Sequence, residues 1–172
     1  MSKLSSTVAT IGPNTSTCTP EIYSFGLELG RLLADMGFTI LNGGRGGFME
    51  AVFKGARQSR NYTFGQCIGI LPGADAAEAN AFCDIKIPTG IGLARNAIVA
   101  NSSDIVIAVG GGSGTLSELA YAWQFQKTII CFAQFGGWAA ELAGKQLDNR
   151  HQGEIAAMES LEELKEWLKA NI

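Results

Sequence analysis

Short runs of glycine recur along this chain, and each stands directly behind a short apolar run. Asn42-Gly43-Gly44-Arg45-Gly46-Gly47 follows Phe38 to Leu41, and Gly110-Gly111-Gly112-Ser113-Gly114 follows Asp104 to Val109. Apolar runs this short suit strands buried on both faces, and glycine behind them suits tight strand-to-helix turns. The pattern therefore predicts a Rossmann-like, doubly wound α/β fold: a mostly parallel sheet with helices on both faces and loops gathered at the carboxyl ends of its strands.

The remaining segments fit the same alternation. Thr7 to Ile11 reads as a first strand and Gly12 to Thr17 as its loop. Thr19 caps a helix that opens on Pro20, carries Ile22, Phe25, Leu29, Leu32, Leu33 and Met36 at helical spacing, and stops at Gly37. A helix is expected from Phe48 to Arg57, and a strand from Cys67 to Leu71, closed by Pro72-Gly73. A mobile loop is expected over Ala74 to Ala81, then a short strand near Ile85 to Ile87 and a helix from Leu93 to Asn101. Thr115 to Gln126 reads as helix and Thr128 to Phe132 as strand. Ser160-Leu161-Glu162-Glu163 is a capping box for a closing helix. With 172 residues and no linker or low-complexity tract, residues 1–172 are expected to form a single domain.

Composition narrows the function classes. Thirteen basic against sixteen acidic residues give a net charge of -3, so no general positive field gathers nucleic acid or anionic lipid. An anionic ligand must be bound by local groups. Met1 to Ser6 has no apolar run of signal-peptide length, and eighteen apolar residues never follow one another, which predicts a cytoplasmic protein with no membrane partner. Cys18, Cys67, Cys83 and Cys131 are widely spaced and form no C-x-x-C pair, so they read as buried reduced thiols, and no metal site is expected. The one histidine, His151, lies in a polar stretch and reads as a surface position, which argues against Ser-His-Asp chemistry.

Glycine-rich turns that open helices can hold phosphate, because the ligand approaches the backbone closely and the free N–H groups and helix dipole favour negative charge. Two such turns stand here, at Asn42 to Gly47 and at Gly110 to Thr115. Neither matches G-x-x-x-x-G-K-[ST], and the first has no acidic residue fitted for a ribose about twenty residues on, which disfavours a nucleoside-triphosphate loop and a standard dinucleotide site. Between the turns, Arg95 is the only basic residue from Ile87 through Gln126. Glu118 is the only acid between Ile105 and Ala140. A helix beginning near Leu93 and returning into the strand Asp104 to Val109 brings Arg95 to the edge where the second turn emerges, and Glu118 is expected in the first turn of the helix that follows. The two residues either pair and fix the loop, or both face a ligand.

These strings resemble the Rossmann-like group once called lysine decarboxylase-like, which includes LOG-type phosphoribohydrolases and molybdenum cofactor carrier proteins. The resemblance covers nearly the whole chain and rests on Gly43-Gly44 through Gly47-Phe48-Met49-Glu50-Ala51, on Ile70-Leu71-Pro72-Gly73, and on Gly110-Gly111-Gly112-Ser113-Gly114-Thr115-Leu116-Ser117-Glu118. The last looks like the PGGxGTxxE signature with Gly110 in place of proline. In the LOG enzymes a nucleoside 5'-monophosphate is cleaved to free base and ribose 5-phosphate, and their catalytic arginine and glutamate match Arg95 and Glu118. Their arginine motif reads approximately MHERK, however, whereas this chain has Gly92-Leu93-Ala94-Arg95-Asn96. That departure, with Thr89-Gly90-Ile91-Gly92 before it, resembles the carrier branch instead.

The resemblance thus implies binding and protection of molybdenum cofactor (molybdopterin) rather than catalysis. The alternatives are nucleoside monophosphate hydrolysis by Arg95 and Glu118 and, behind it, a non-catalytic nucleotide sensor. The candidate ligand contacts are Gly12, Asn42, Gly43, Gly44, Arg95, Asn96, Gly111, Gly112, Ser113, Gly114, Thr115 and Glu118. A homodimer or homotetramer is expected, with the enzymes of molybdenum cofactor synthesis and use as further partners. The apolar helix Thr115 to Gln126 fits such association.

Overall fold

The computed structural model describes residues 6–150 and 153–172. His151 and the segment Met1 to Ser5 lie outside the described residues. Seven strands form one sheet: β1 (Thr7–Ile11), β2 (Thr39–Asn42), β3 (Cys67–Leu71), β4 (Ile85–Pro88), β5 (Ile105–Val109), β6 (Thr128–Phe132) and β7 (Ala156–Met158). Their order is β4-β3-β2-β1-β5-β6-β7, and every pairing is parallel. The helices are α1 (Pro20–Asp35), α2 (Phe48–Arg57), α3 (Arg95–Asn101), α4 (Ser113–Gln124), α5 (Gly137–Leu142) and α6 (Leu161–Asn171).

Alternation along the buried strands divides the core in two. Ile105, Ile107 and Val109 of β5 join α1, α2 and α6 through Leu29, Leu33, Val52, Phe53, Leu164 and Leu168. Val106 and Ala108 pack on the other face with Val99, Leu119, Trp123 and Leu142 from α3, α4 and α5. Successive side chains of a strand point to opposite faces, so a strand covered on both must be apolar throughout. All five residues of β5 are buried. The fold is therefore the doubly wound α/β architecture that the glycine pattern predicts.

Local chemistry explains the elements that were legible. Thr19 caps α1 by accepting a hydrogen bond from the Ile22 N–H, with Pro20 at the first helical position. The hydroxyl of Ser160 accepts from the Glu163 N–H at 3.2 Å, and the Glu163 carboxylate accepts from the Glu159 N–H at 2.9 Å. Helices α1 and α2 approach until their backbones nearly touch. A Cβ at Gly30 would run into the Val52 carbonyl, and one at Gly55 into the Leu27 carbonyl.

Several boundaries differ from the sequence reading. Asn42 ends β2 rather than opening its loop, because its backbone pairs in register with Gly69 of β3. Gly92–Ala94 form a 3-10 turn that leads into the helix, so α3 starts at Arg95 rather than Leu93. Helix α4 opens at Ser113, two residues early, which puts Glu118 in its second turn rather than its first. Ala76–Glu78 make a 3-10 turn capped by Asp75 inside the expected loop. Helix α5 and strand β7 were not anticipated. Three cysteines are buried free thiols, but Cys18 is only partly buried. Burial pushes the thiols of Cys67 and Cys131 up to about 12, which keeps them unreactive. No helix among the described residues is long and apolar enough to cross a membrane.

Candidate functional site

Strand β1 leads to α1 on one face of the sheet, while its neighbour β5 leads to α4 on the other. Their loops diverge, and a crevice opens at their carboxyl ends, as the geometry of doubly wound sheets requires. A cavity of about 290 Å³ occupies it, lined by residues 10–14 and Thr17, by Gly43 and Met49, by Leu93, Arg95 and Asn96, and by Gly112 to Thr115 with Glu118.

The two glycine turns, alike in sequence, differ in what they offer. In the β2–α2 turn two of the donors are already used. The Gly44 N–H donates to the Asn42 side chain at 2.8 Å and the Phe48 N–H to the Pro13 carbonyl at 3.0 Å. The Asn80 side chain binds the carbonyls of Gly44 and Arg45. Asn42 is fully buried, and its amide bonds Thr10 and the Met49 carbonyl, so it braces the turn from behind the cavity wall.

The β5–α4 turn is built the other way round. Helix α5 donates its Trp138 and Ala139 N–H groups to the carbonyls of Gly111 and Gly110, at 3.1 and 3.0 Å. Those carbonyls are drawn to the back of the turn. At its front Ser113, Gly114 and Thr115 open α4, and the first N–H groups of a helix have no acceptor within it. No side chain caps them. Gly110, standing where the family signature has proline, has φ +57°, a value that a proline ring cannot reach.

Arg95 and Glu118 meet in the cavity. The Arg95 Nη1 donates to Glu118 Oε1 at 3.0 Å, and both side chains are about nine-tenths buried. Burial pushes the Glu118 carboxyl up to about 7, against the opposing pull of the Arg95 guanidinium. The guanidinium lies against Gly43, where any Cβ would collide with it, so glycine is needed there for space. Asn96, next on α3, donates from Nδ2 to the Ser117 hydroxyl at 2.8 Å, and that hydroxyl donates to the Gly114 carbonyl at 2.7 Å. Two buried polar atoms remain without a partner among the described residues: Nε of Arg95 and Oδ1 of Asn96. Unpaired buried atoms are uncommon, and a water, an ion or a ligand atom can complete their bonding.

Of the residues selected from sequence, Gly12, Gly43, Arg95, Asn96, Gly112, Ser113, Gly114, Thr115 and Glu118 line this cavity. Asn42, Gly44 and Gly111 stand behind it and shape the turns. The sequence reading took only Gly12 from the first loop and passed over Pro13, Asn14 and Thr17, which carry no motif. Met49 and Leu93, apolar members of the wall, stand in the strings that carry the family resemblance but are absent from the ligand contacts expected from sequence.

A model of the SLOG cluster4 family matches residues 5–165. The chain belongs to the SLOG cluster4 family. This SLOG cluster4 protein is 36% identical to the molybdenum cofactor binding protein of Rippkaea orientalis, over 96% of each chain and with a TM-score of 0.83. It is 26% identical to the molybdenum cofactor carrier protein of Chlamydomonas reinhardtii over 96% of this chain and 97% of the other, with a TM-score of 0.75. A cytokinin riboside 5'-monophosphate phosphoribohydrolase of Mycobacterium tuberculosis is 34% identical over 60% of this chain, and that match spans 54% of the relative. The molybdenum cofactor proteins thus align along almost all of this SLOG cluster4 chain, the hydrolase along part of it.

Proposed function

We propose that this protein binds molybdenum cofactor and holds it intact, as a cytoplasmic carrier between the enzymes that make the cofactor and those that use it. In this reading the terminal phosphate of the cofactor sits on the N–H groups of Ser113, Gly114 and Thr115. Arg95 donates from Nε, and Asn96 Oδ1 accepts from a donor on the ligand. The full-length likeness to two molybdenum cofactor proteins supports it.

The observation that carries retention over cleavage is the state of the Arg95–Glu118 pair. Splitting a glycosidic bond requires a carboxylate free to face positive charge developing at the sugar carbon. Here the Glu118 carboxyl is tied to the Arg95 guanidinium at 3.0 Å, with both side chains about nine-tenths buried. Neither neighbour of Arg95 adds a charge to position a sugar: Ala94 has none, and Asn96 is engaged with Ser117.

Nucleoside 5'-monophosphate hydrolysis is the second reading, favoured by the presence of both residues in one cavity and by the hydrolase relative. Incubating the pure protein separately with molybdenum cofactor and with adenosine monophosphate, then recovering what is bound and what is released, distinguishes them. The expected result is intact cofactor in the bound fraction and no steady release of adenine. Turnover of the monophosphate that is lost in Glu118→Gln would establish the hydrolase instead.

A further inference from the structure

The cavity does not end at Arg95. A second hollow of about 500 Å³ adjoins it as a second lobe, with Asn14, Met49, Leu93 and Arg95 as common walls. The second lobe adds Thr15, Ser16, Arg45, Pro72 and Glu78. Arg95 stands at the junction, its Nη1 committed to Glu118 in the first lobe and its buried Nε unpaired among the described residues.

Arg45 is the other cation of this cleft. Its backbone is held, because its carbonyl accepts from Asn80 Nδ2 at 2.9 Å and the preceding Gly44 carbonyl accepts from the Asn80 N–H at 2.8 Å. Its side chain is exposed and makes no hydrogen bond or ion pair to a described residue. A guanidinium whose backbone is anchored at the rim of a cavity is within reach of a bidentate contact with an anionic group there. Glu78 also lines the lobe, so its walls carry both signs and a bulk anion gains little there. Only a group set against Arg45 itself gains the contact.

Resting on the carrier reading, we propose that Arg45 is a specificity-determining residue that binds a second anionic group at the far end of the ligand. The cleft then selects an elongated ligand with an anion at each end: phosphate on the α4 amides in the first lobe, and the other anionic group on Arg45 in the second. Molybdenum cofactor has this character, since its dithiolene and metal end is anionic. A nucleoside monophosphate has one anionic end and an uncharged base, and gains nothing from Arg45.

Equilibrium ultrafiltration of the full chain tests this with two probes, molybdenum cofactor and adenosine monophosphate. Arg45→Gln is expected to weaken cofactor retention about tenfold or more, the usual scale for a lost charge-assisted bond, and to leave monophosphate affinity within about twofold. Arg45→Lys is expected to recover part of the loss. Wild-type retention by Arg45→Gln overturns the role of Arg45 while the carrier reading stands. An equal loss for both probes overturns the selectivity and makes Arg45 a general anion contact. A wild-type protein that retains no cofactor overturns the carrier reading, and this inference with it.

Discussion

At the residue scale, Glu118 couples the cleft to pH. Burial raises its carboxyl from 4.5 to about 7, so between those values the folded protein holds a proton that the unfolded chain has released. Folding that takes up a proton is favoured by acid, so this contribution is fully present below about pH 4.5 and is lost as pH rises through 7. Relative to Glu118→Gln, the wild type is expected to lose on the order of 1 kcal/mol of stability per pH unit across that window. Melting temperatures of both proteins from pH 5 to 8 check it, and a constant difference would show that Glu118 does not titrate there. That Arg95 and Glu118 meet was legible in the sequence, because each is the one charge of its sign in a long apolar stretch. That Asn42 turns inward was not. A polar residue beside glycines reads as a loop, and only the pairing of β2 with β3 shows that its amide braces the turn.

At the element scale, two glycines side by side in the β5–α4 turn answer to different constraints. Gly111 has φ +88°, and a Cβ there would strike Thr115, so substitution strains the turn itself. Gly112 has φ -106°, and nothing lies within 4 Å of the place its Cβ would take. Gly112→Val is therefore expected to fold with little change in melting temperature while its side chain crowds the α4 amides. Phosphate-ligand affinity should fall about tenfold or more, the loss of one or two charge-assisted bonds. Unchanged affinity in the folded variant would place the ligand elsewhere. The strands and long helices were legible because apolar periodicity and caps declare them. Helix α5 was not, since Gly136-Gly137-Trp138 looks like a turn and the acceptors of its Trp138 and Ala139 N–H groups lie 27 and 29 residues upstream, separations no local pattern encodes.

At the scale of the whole molecule, the paired helices α3 and α4 leave two large apolar side chains exposed. Ile98 is 38% exposed and Phe125, at the end of α4, 40%, with the Phe125 ring stacked on Tyr121 at 6.0 Å. We expect this face to join copies of the chain into a homo-oligomer. Light scattering at micromolar concentration should give a multiple of the 18.2 kDa chain mass. Ile98→Glu combined with Phe125→Glu should reduce it to that of a monomer with the fold intact. A monomeric wild type would leave the face without this role. The second lobe was beyond sequence reading for a related reason: Arg45 and Glu78 belong to different loops, and only the folded sheet sets them around one hollow. The α5 amides that hold the carbonyls of Gly110 and Gly111 also bear on kinetics. Because those bonds lie wholly within the protein, we expect the α4 amides to be in place before a ligand arrives, which lowers the ordering entropy of binding. Capture should proceed as fast as diffusion and orientation permit, and the lifetime of the complex should depend on how quickly the ligand's own contacts break.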